Sequence, residues 1–384
     1  MNPISILKMP RAVYCGQGAL EKIPELVKGK KKVALFTDKG IQATGLAGLV
    51  QAQIEKAGVP CAVLCDTPPE PTYAQAQATV DACKAENPDF IVAVGGGSVM
   101  DTAKLASILM TDEYGVKELL DNPTLARKCV PSLMIPTTAG TGSEATPNAI
   151  VAVPEQELKV GIVNDEMICD TVVLDPVMIQ NLPRKIAAAT GVDALCHAIE
   201  CFTSNKANPI SDTFALEALD VILNHIKPAC DDPKALADKS AMQLASFYAG
   251  VAITASGTTA VHGLSYPLGG KYHIAHGVSN AILLAPVMRF NAPACKARFA
   301  AAYDRCVHGE KACRTEDEKT AYMLAWLEDI VKHLDIPTSL AEFGVPKSDL
   351  DTLVEAGMQV TRLLNNNPRP VTAADARALY QEIL

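Results

Sequence analysis

The sequence predicts an α/β domain with a mostly parallel sheet, followed by an all-α domain. β-rich runs alternate with helical segments up to about residue 180, and beyond Pro183 only helical patterns continue. The length, 384 residues, provides for two or three domains that each bury a core.

The strands come in order. KKVALFTD (31–38), CAVLCD (61–66), DFIVAVGG (89–96) and SLMIPTT (132–138) are apolar, rich in Val and Ile, and end in polar or turn residues. Between them lie segments such as IQATGLAGLVQAQIEKAG and TYAQAQATVDACKAEN, with apolar residues three and four apart. That alternation implies βαβ units. NAIVAV (148–153) and LKVGIV (158–163), joined by PEQE, predict a hairpin, and TVVLDP (171–176) a further strand. After Pro183, RKIAAATGVDALCHAIECFTS, ISDTFALEALDVILNHI and ALADKSAMQLASFYAGVAITAS are long Ala- and Leu-rich helical patterns. The expected domains are therefore residues 1–182 and 183–384, with a crevice between them as a favoured ligand site, along with the carboxyl ends of the parallel strands.

Composition narrows the function. Hydrophobic residues make up 49% and charged residues 20%, as in globular proteins. A net charge of −9 disfavours nucleic acid and anionic membrane surfaces as partners, though not a small anionic substrate held at a locally positive site. Twelve scattered cysteines without a CxxC pair read as small core side chains of a reduced, intracellular protein. The N-terminus has no signal-peptide pattern, and no apolar run approaches the roughly 20 residues that span a bilayer. The expected location is the cytoplasm.

Two loops suit a dinucleotide. Gly95-Gly96-Gly97-Ser98 follows a strand and opens a helix. Glycines let the backbone approach a ligand, and the first turn of the helix offers unpaired N–H groups to a pyrophosphate. It is not the GxGxxG fingerprint, and a tight turn without a ligand is the plainer alternative. Pro136-Thr137-Thr138-Ala139-Gly140-Thr141-Gly142-Ser143-Glu144 also follows a strand and offers hydroxyls and amides for phosphate or ribose oxygens; the alternative is a solvated polar loop. Asp38, closing the first β-rich run, suits the adenosine ribose and would repel a 2′-phosphate, which favours NAD over NADP; a capping role is the alternative.

Four of the seven histidines fall in two windows. In GVDALCH (191–197), Asp193 and His197 are four apart on one helical face. The second window runs from His262 to His273 and His276. One carboxylate with imidazoles suits a divalent first-row metal, iron first and zinc second, and leaves a position for substrate. Spacing does not choose between His273 and His276, and an Asp–His pair alone is more often an ion pair or cap. Cys196 faces away from Asp193 and His197 and reads as a core residue; Cys201, beside it, is the other thiol to weigh as a ligand.

Nearly the whole chain resembles the iron-containing (group III) alcohol dehydrogenases, the family of lactaldehyde reductase and 1,3-propanediol dehydrogenase. The resemblance rests on Tyr14-Cys-Gly16-Gln-Gly18, on Gly95–Ser98 with Asp101 and Lys104, on PTTAGTGSE, on GVDALCHAIE at 191–200, on the 262–276 window and on NNPRPVT. It implies a dehydroquinate synthase-like two-domain architecture with the active site in the cleft. It implies metal ligation by Asp193, His197, His262 and His276. Contacts to NAD are implied for Asp38, Gly96, Gly97, Ser98, Asp101, Thr137, Thr138, Thr141 and Lys159. The implied reaction is hydride transfer between NAD(H) and a small alcohol or aldehyde, in a homo-oligomer, often a dimer. Two positions depart from the family pattern. Tyr266 stands where many members carry a histidine four residues after the third ligand, so Tyr266 and His273 are the candidates for handling the proton. Glu70 stands where the family often has Asn. A dehydroquinate synthase-like lyase, which would cycle NAD without net change, is the rival reading; the metal windows hold few cations apart from Lys271 to suit its phosphorylated substrate. A non-catalytic structural or filament-forming subunit is the other, and it would leave the ligand set without a purpose.

Overall fold

A computed structural model describes residues 4–384. These divide into two compact units, Lys8–Leu182, and Pro183–Leu384 together with residues 4–7.

The first unit is built on eight strands: β1 (Ala12–Cys15), β2 (Val33–Phe36), β3 (Cys61–Leu64), β4 (Phe90–Gly95), β5 (Ser132–Pro136), β6 (Asn148–Val153), β7 (Leu158–Val163) and β8 (Thr171–Leu174). Six form a sheet in the order β1-β8-β5-β4-β2-β3, every pairing parallel. β6 and β7 form the expected antiparallel hairpin. The inner strands β2, β4, β5 and β8 are buried at every residue, which is why they read as continuous apolar runs rather than alternating ones. The edge strands β1 and β3 are only half-buried. β1 is the element that the sequence pattern does not single out: AVYC is four residues long and too short to show a period.

Helices of 11 residues or more, in chain order, are α1 (Leu46–Lys56), α2 (Tyr73–Glu86), α3 (Gly97–Ile108), α4 (Arg184–Thr203), α5 (Pro209–Asp231), α6 (Leu236–Ser256), α7 (Ala260–Tyr272), α8 (His276–Cys306), α9 (Glu316–His333) and α10 (Ala373–Ile383). The chain steps outward from β2 to β3, then crosses back over β2 to β4. This reversal between β2 and β4 is a topological switch point, where the carboxyl ends of strands leave a crevice for a ligand.

The second unit has helices and no strand among its described residues. Helix α4 runs through its middle, with every residue from Gly191 to Thr203 buried. By length and mean hydropathy α4 could cross a membrane, but 78% of that stretch is buried among the other helices. It also carries Asp193, His197 and Glu200 inward, and buried polar groups of this kind require partners.

Candidate functional site

In the helical unit, Asp193 and His197 lie one turn apart on α4, His262 sits in the first turn of α7, and His276 is the first residue of α8. One ligand atom from each falls within 4.8 Å of all the others. Oδ1 of Asp193 is 3.8 Å from Nε2 of His197, 3.6 Å from Nε2 of His262 and 3.5 Å from Nε2 of His276. A tetrahedral metal with bonds of about 2.1 Å would set its ligand atoms about 3.4 Å apart. The donor set therefore fits a divalent metal in both chemistry and spacing. Asp193, His197 and His262 are buried, whereas 33% of the His276 side chain is exposed and marks the open side. The His197 and His262 rings stack with centroids 4.6 Å apart.

Packing explains why the ligands converge. A Cβ on Gly277 would lie 2.1 Å from the carbonyl oxygen of Ala189, so only glycine lets the start of α8 approach α4 this closely and deliver His276. Asn280, one turn into α8, donates through Nδ2 to Asp193 Oδ1 at 2.7 Å, and the same nitrogen is 3.1 Å and 3.3 Å from Nε2 of His262 and His276. Glu200 accepts from Nδ1 of His262.

The electrostatics follow from this crowding. Burial alone would raise the Asp193 carboxyl, but His197, His276 and His262 around it hold it well below the usual carboxylate range. Burial opposes charge on His262 as well, yet Glu200 and Asp193 outweigh it and lift the imidazole to about 9. The thiol of Cys196 is pushed well above its ordinary range by burial and by Glu200 and Asp193, and burial likewise raises that of Cys201. Neither thiol belongs to the four-residue cluster.

Tyr266 lies one turn after His262, buried, with its ring centroid 6.2 Å from that of His276. His273 is placed differently. It ends α7 in the left-handed conformation (φ 55°), is exposed, and is not in the four-residue cluster.

In the α/β unit, the two glycine-bearing loops leave neighbouring strands side by side. Gly95 pairs with Pro136 in register, and the N–H of Thr137 donates to the carbonyl of Gly95 at 3.0 Å. A Cβ on Gly97 would come within 3.1 Å of Thr141 Cγ2, so the loops touch at Gly97. Gly96 caps α3 without a side chain, leaving first-turn amides for a ligand. The hydroxyls of Thr137 and Thr138 are buried and have no hydrogen-bond partner among the described residues, as expected of groups that await one. These features fit the phosphates and ribose of a dinucleotide. Asp38 caps a short helix, its Oδ1 accepting from the Ile41 N–H at 2.9 Å, on the β2 side of the switch point.

Asp101 faces inward. It accepts from Ser143 Oγ at 2.5 Å and from the Ile150 N–H at 2.9 Å, and it pairs with the fully buried Lys104 at 2.9 Å. Lys104 in turn donates to the carbonyl of Ser143 at 3.0 Å. This pair knits the second loop onto α3. Lys159 is buried and paired with Glu70 at 2.5 Å, while the N–H of Glu70 donates to Ser98 Oγ at 3.0 Å. The Glu70 departure thus falls among the expected cofactor residues Ser98 and Lys159.

Three residues of the sites carry no role in the sequence reading. Glu200 was recoverable, since it follows Asp193 and His197 at seven and three residues on one helical stripe. Asn280 follows His276 by four, a weaker signal. Gly277 has none, because its reason is a neighbouring backbone.

The whole chain also matches known proteins. A model of the iron-containing alcohol dehydrogenases matches residues 10–176, and a model of the C-terminal part of the Fe-containing alcohol dehydrogenase family matches residues 187–384. Long-chain-alcohol dehydrogenase 1 of Geobacillus thermodenitrificans is 34% identical over 383 residues, covering 98% of this chain and 96% of that protein. Among solved structures, a 1,3-propanediol oxidoreductase superposes with a TM-score of 0.94 at 28% identity, covering 100% of both chains. Sulfoacetaldehyde reductase from Bifidobacterium kashiwanohense, in complex with NAD+, superposes with a TM-score of 0.87 at 25% identity, covering 100% of this chain and 99% of that one. With both halves matched by its models, the chain belongs to the iron-containing alcohol dehydrogenase family.

Proposed function

We propose that this alcohol dehydrogenase transfers a hydride between NAD(H) and a small alcohol or aldehyde, acting chiefly as an aldehyde reductase, with Fe²⁺ as its first metal and Zn²⁺ as the alternative. The observation that carries the proposal is the convergence of Asp193, His197, His262 and His276. When bound there, a divalent metal supplies Lewis-acid polarisation of the reacting oxygen. Asp193 provides the one anionic ligand, and three neutral imidazoles keep the site's net charge positive enough to attract that oxygen. The loops at Gly96–Ser98 and Thr137–Thr141 hold and orient the cofactor, with Asp38 on the adenosine ribose and Lys159 on a polar group of the cofactor. Asp101 supports the loops from within. Tyr266, beside His276, is the better placed proton-handling group; His273 is the second candidate, from its exposed position at the end of α7.

The net charge of −9 and the family's small-molecule chemistry support a partner list without nucleic acid or membrane. A homodimer in the cytoplasm is the proposed state; twelve free cysteines accord with a reducing compartment. The lyase reading gains nothing from the family matches, which are to alcohol dehydrogenases over both halves.

The test is NADH oxidation at 340 nm by anaerobically prepared protein reloaded separately with Fe²⁺ and Zn²⁺, against a panel of short aldehydes. Turnover that vanishes in His262→Ala supports the proposal. Protein that binds metal and NADH yet oxidises no NADH with any member of the panel contradicts it.

A further inference from the structure

Three polar residues of α4 share one stripe. Asp193 and His197 point into the metal cluster; Glu200, three residues on, is fully buried and is not one of its ligands. Instead it reaches the start of α7, where the chain has just turned through 107° from α6. A helix start leaves N–H groups unpaired, and here Glu200 collects them. Its Oε1 accepts from the N–H groups of Thr259 at 3.0 Å, Val261 at 2.9 Å and His262 at 3.3 Å, and from the Thr259 hydroxyl at 2.8 Å. Its other oxygen, Oε2, accepts from Nδ1 of His262.

The two oxygens therefore do different things. Oε1 fixes where α7 begins relative to α4, and so sets the third ligand in register with the first two. Oε2 fixes which nitrogen of His262 carries the proton. With Nδ1–H given to Glu200, Nε2, which faces Asp193 Oδ1 and the cluster, is the nitrogen that would give up its proton and ligate when a metal binds. A carboxylate behind a ligating imidazole also makes the other nitrogen a stronger donor.

We propose that Glu200 is a positioning residue of the metal centre, holding His262 in the Nδ1–H tautomer and in register for ligation through Nε2. The proposal rests on the metal reading above.

The experiment measures Zn²⁺ affinity by competition with a chromophoric chelator, and thermal midpoints without metal, for the full chain, Glu200→Gln and Thr259→Val. Glutamine can still accept from the α7 amides but offers His262 no charge, so its Zn²⁺ affinity should fall about 10- to 100-fold. Thr259→Val removes one bond to Oε1 and leaves Oε2 alone, so it should lower the midpoint while its affinity stays within about twofold of the parent. Equal affinity in Glu200→Gln and the parent overturns the proposal. So does equal loss in Glu200→Gln and Thr259→Val, which would indicate general loosening. A parent chain that binds no Zn²⁺ defeats the metal reading itself, and this proposal with it. Should Glu200→Gln not fold, ¹⁵N-histidine spectra of the Zn²⁺-loaded parent, assigned with His262→Gln, decide the matter. A protonated Nδ1 on His262 supports the assignment, and a protonated Nε2 overturns it.

Discussion

Nδ2 of Asn280 lies 2.7 Å from Oδ1 of Asp193 and within 3.3 Å of the ligating nitrogens of His262 and His276. Without a metal, this amide donates to the buried Asp193 carboxylate, which would otherwise lose that partner. Asn280→Ala should thus cost the metal-free protein about 1–3 kcal/mol. It should cost the Zn²⁺-loaded protein less, because the metal then satisfies the same atoms. Thermal midpoints of both forms check this; an equal drop with and without Zn²⁺ would assign Asn280 to packing alone.

Gly277 and Gly263 form a contrasting pair. A Cβ on Gly277 meets the backbone of Ala189 at 2.1 Å, whereas one on Gly263 meets the flexible Leu364 Cδ2 at 3.1 Å. Backbone cannot give way as a side-chain end can. Gly277→Ala should push the start of α8 off α4, carry His276 away from Asp193, destabilise the protein by about 1–3 kcal/mol and weaken Zn²⁺ binding. Gly263→Ala should change Zn²⁺ affinity little. Calorimetric titration with Zn²⁺ separates the two, and equal affinities would contradict this account.

The loops make a prediction independent of the metal. Gly97 touches Thr141 across the gap between them, at 3.1 Å from its would-be Cβ. Gly97→Ala puts a methyl group on the helix start that is proposed to receive the cofactor phosphates, and should weaken NADH binding about tenfold or more, equivalent to about 1.4 kcal/mol, with Zn²⁺ affinity unchanged. NADH fluorescence titration reads this, and unaltered NADH affinity would exclude the Gly97 loop from cofactor binding.

Glu144 gives a pH dependence. Burial lifts its carboxyl from an ordinary 4.5 to about 7. The folded chain then holds this proton more tightly than the unfolded chain does. The stabilisation is complete below about pH 4.5 and is lost as pH rises toward 7, about 3 kcal/mol in all. Glu144→Gln cannot lose it. Its thermal midpoint should exceed the parent's by several degrees at pH 8 and by little at pH 5. A gap independent of pH would contradict the assignment.

These residues also indicate what a sequence exposes. Strands β2, β4, β5 and β8 were legible because both of their faces are buried, so they are apolar at almost every position. β1 was not, being four residues at a half-buried edge. Asp193 and His197 were legible through helical spacing, but choosing His276 over His273 needed the family resemblance. The structure distinguishes them by position: His276 opens α8 against Asp193, and His273 ends α7 exposed. Asp101 carries the family motif, yet its inward role depends on Ser143, Ile150 and Lys104, and no local pattern announces that tertiary contact.

The central claim, metal-assisted hydride transfer to a carbonyl, is tested most directly with NADH carrying deuterium at both C4 positions. The protein, loaded with Fe²⁺ or Zn²⁺, is given this cofactor and a short aldehyde, and the product alcohol is analysed for deuterium at C1. Deuterium should appear at C1 in the loaded protein, and its transfer should cease on chelation and in Asp193→Ala. Transfer that persists at the same rate after chelation, or an alcohol without deuterium, would contradict the account.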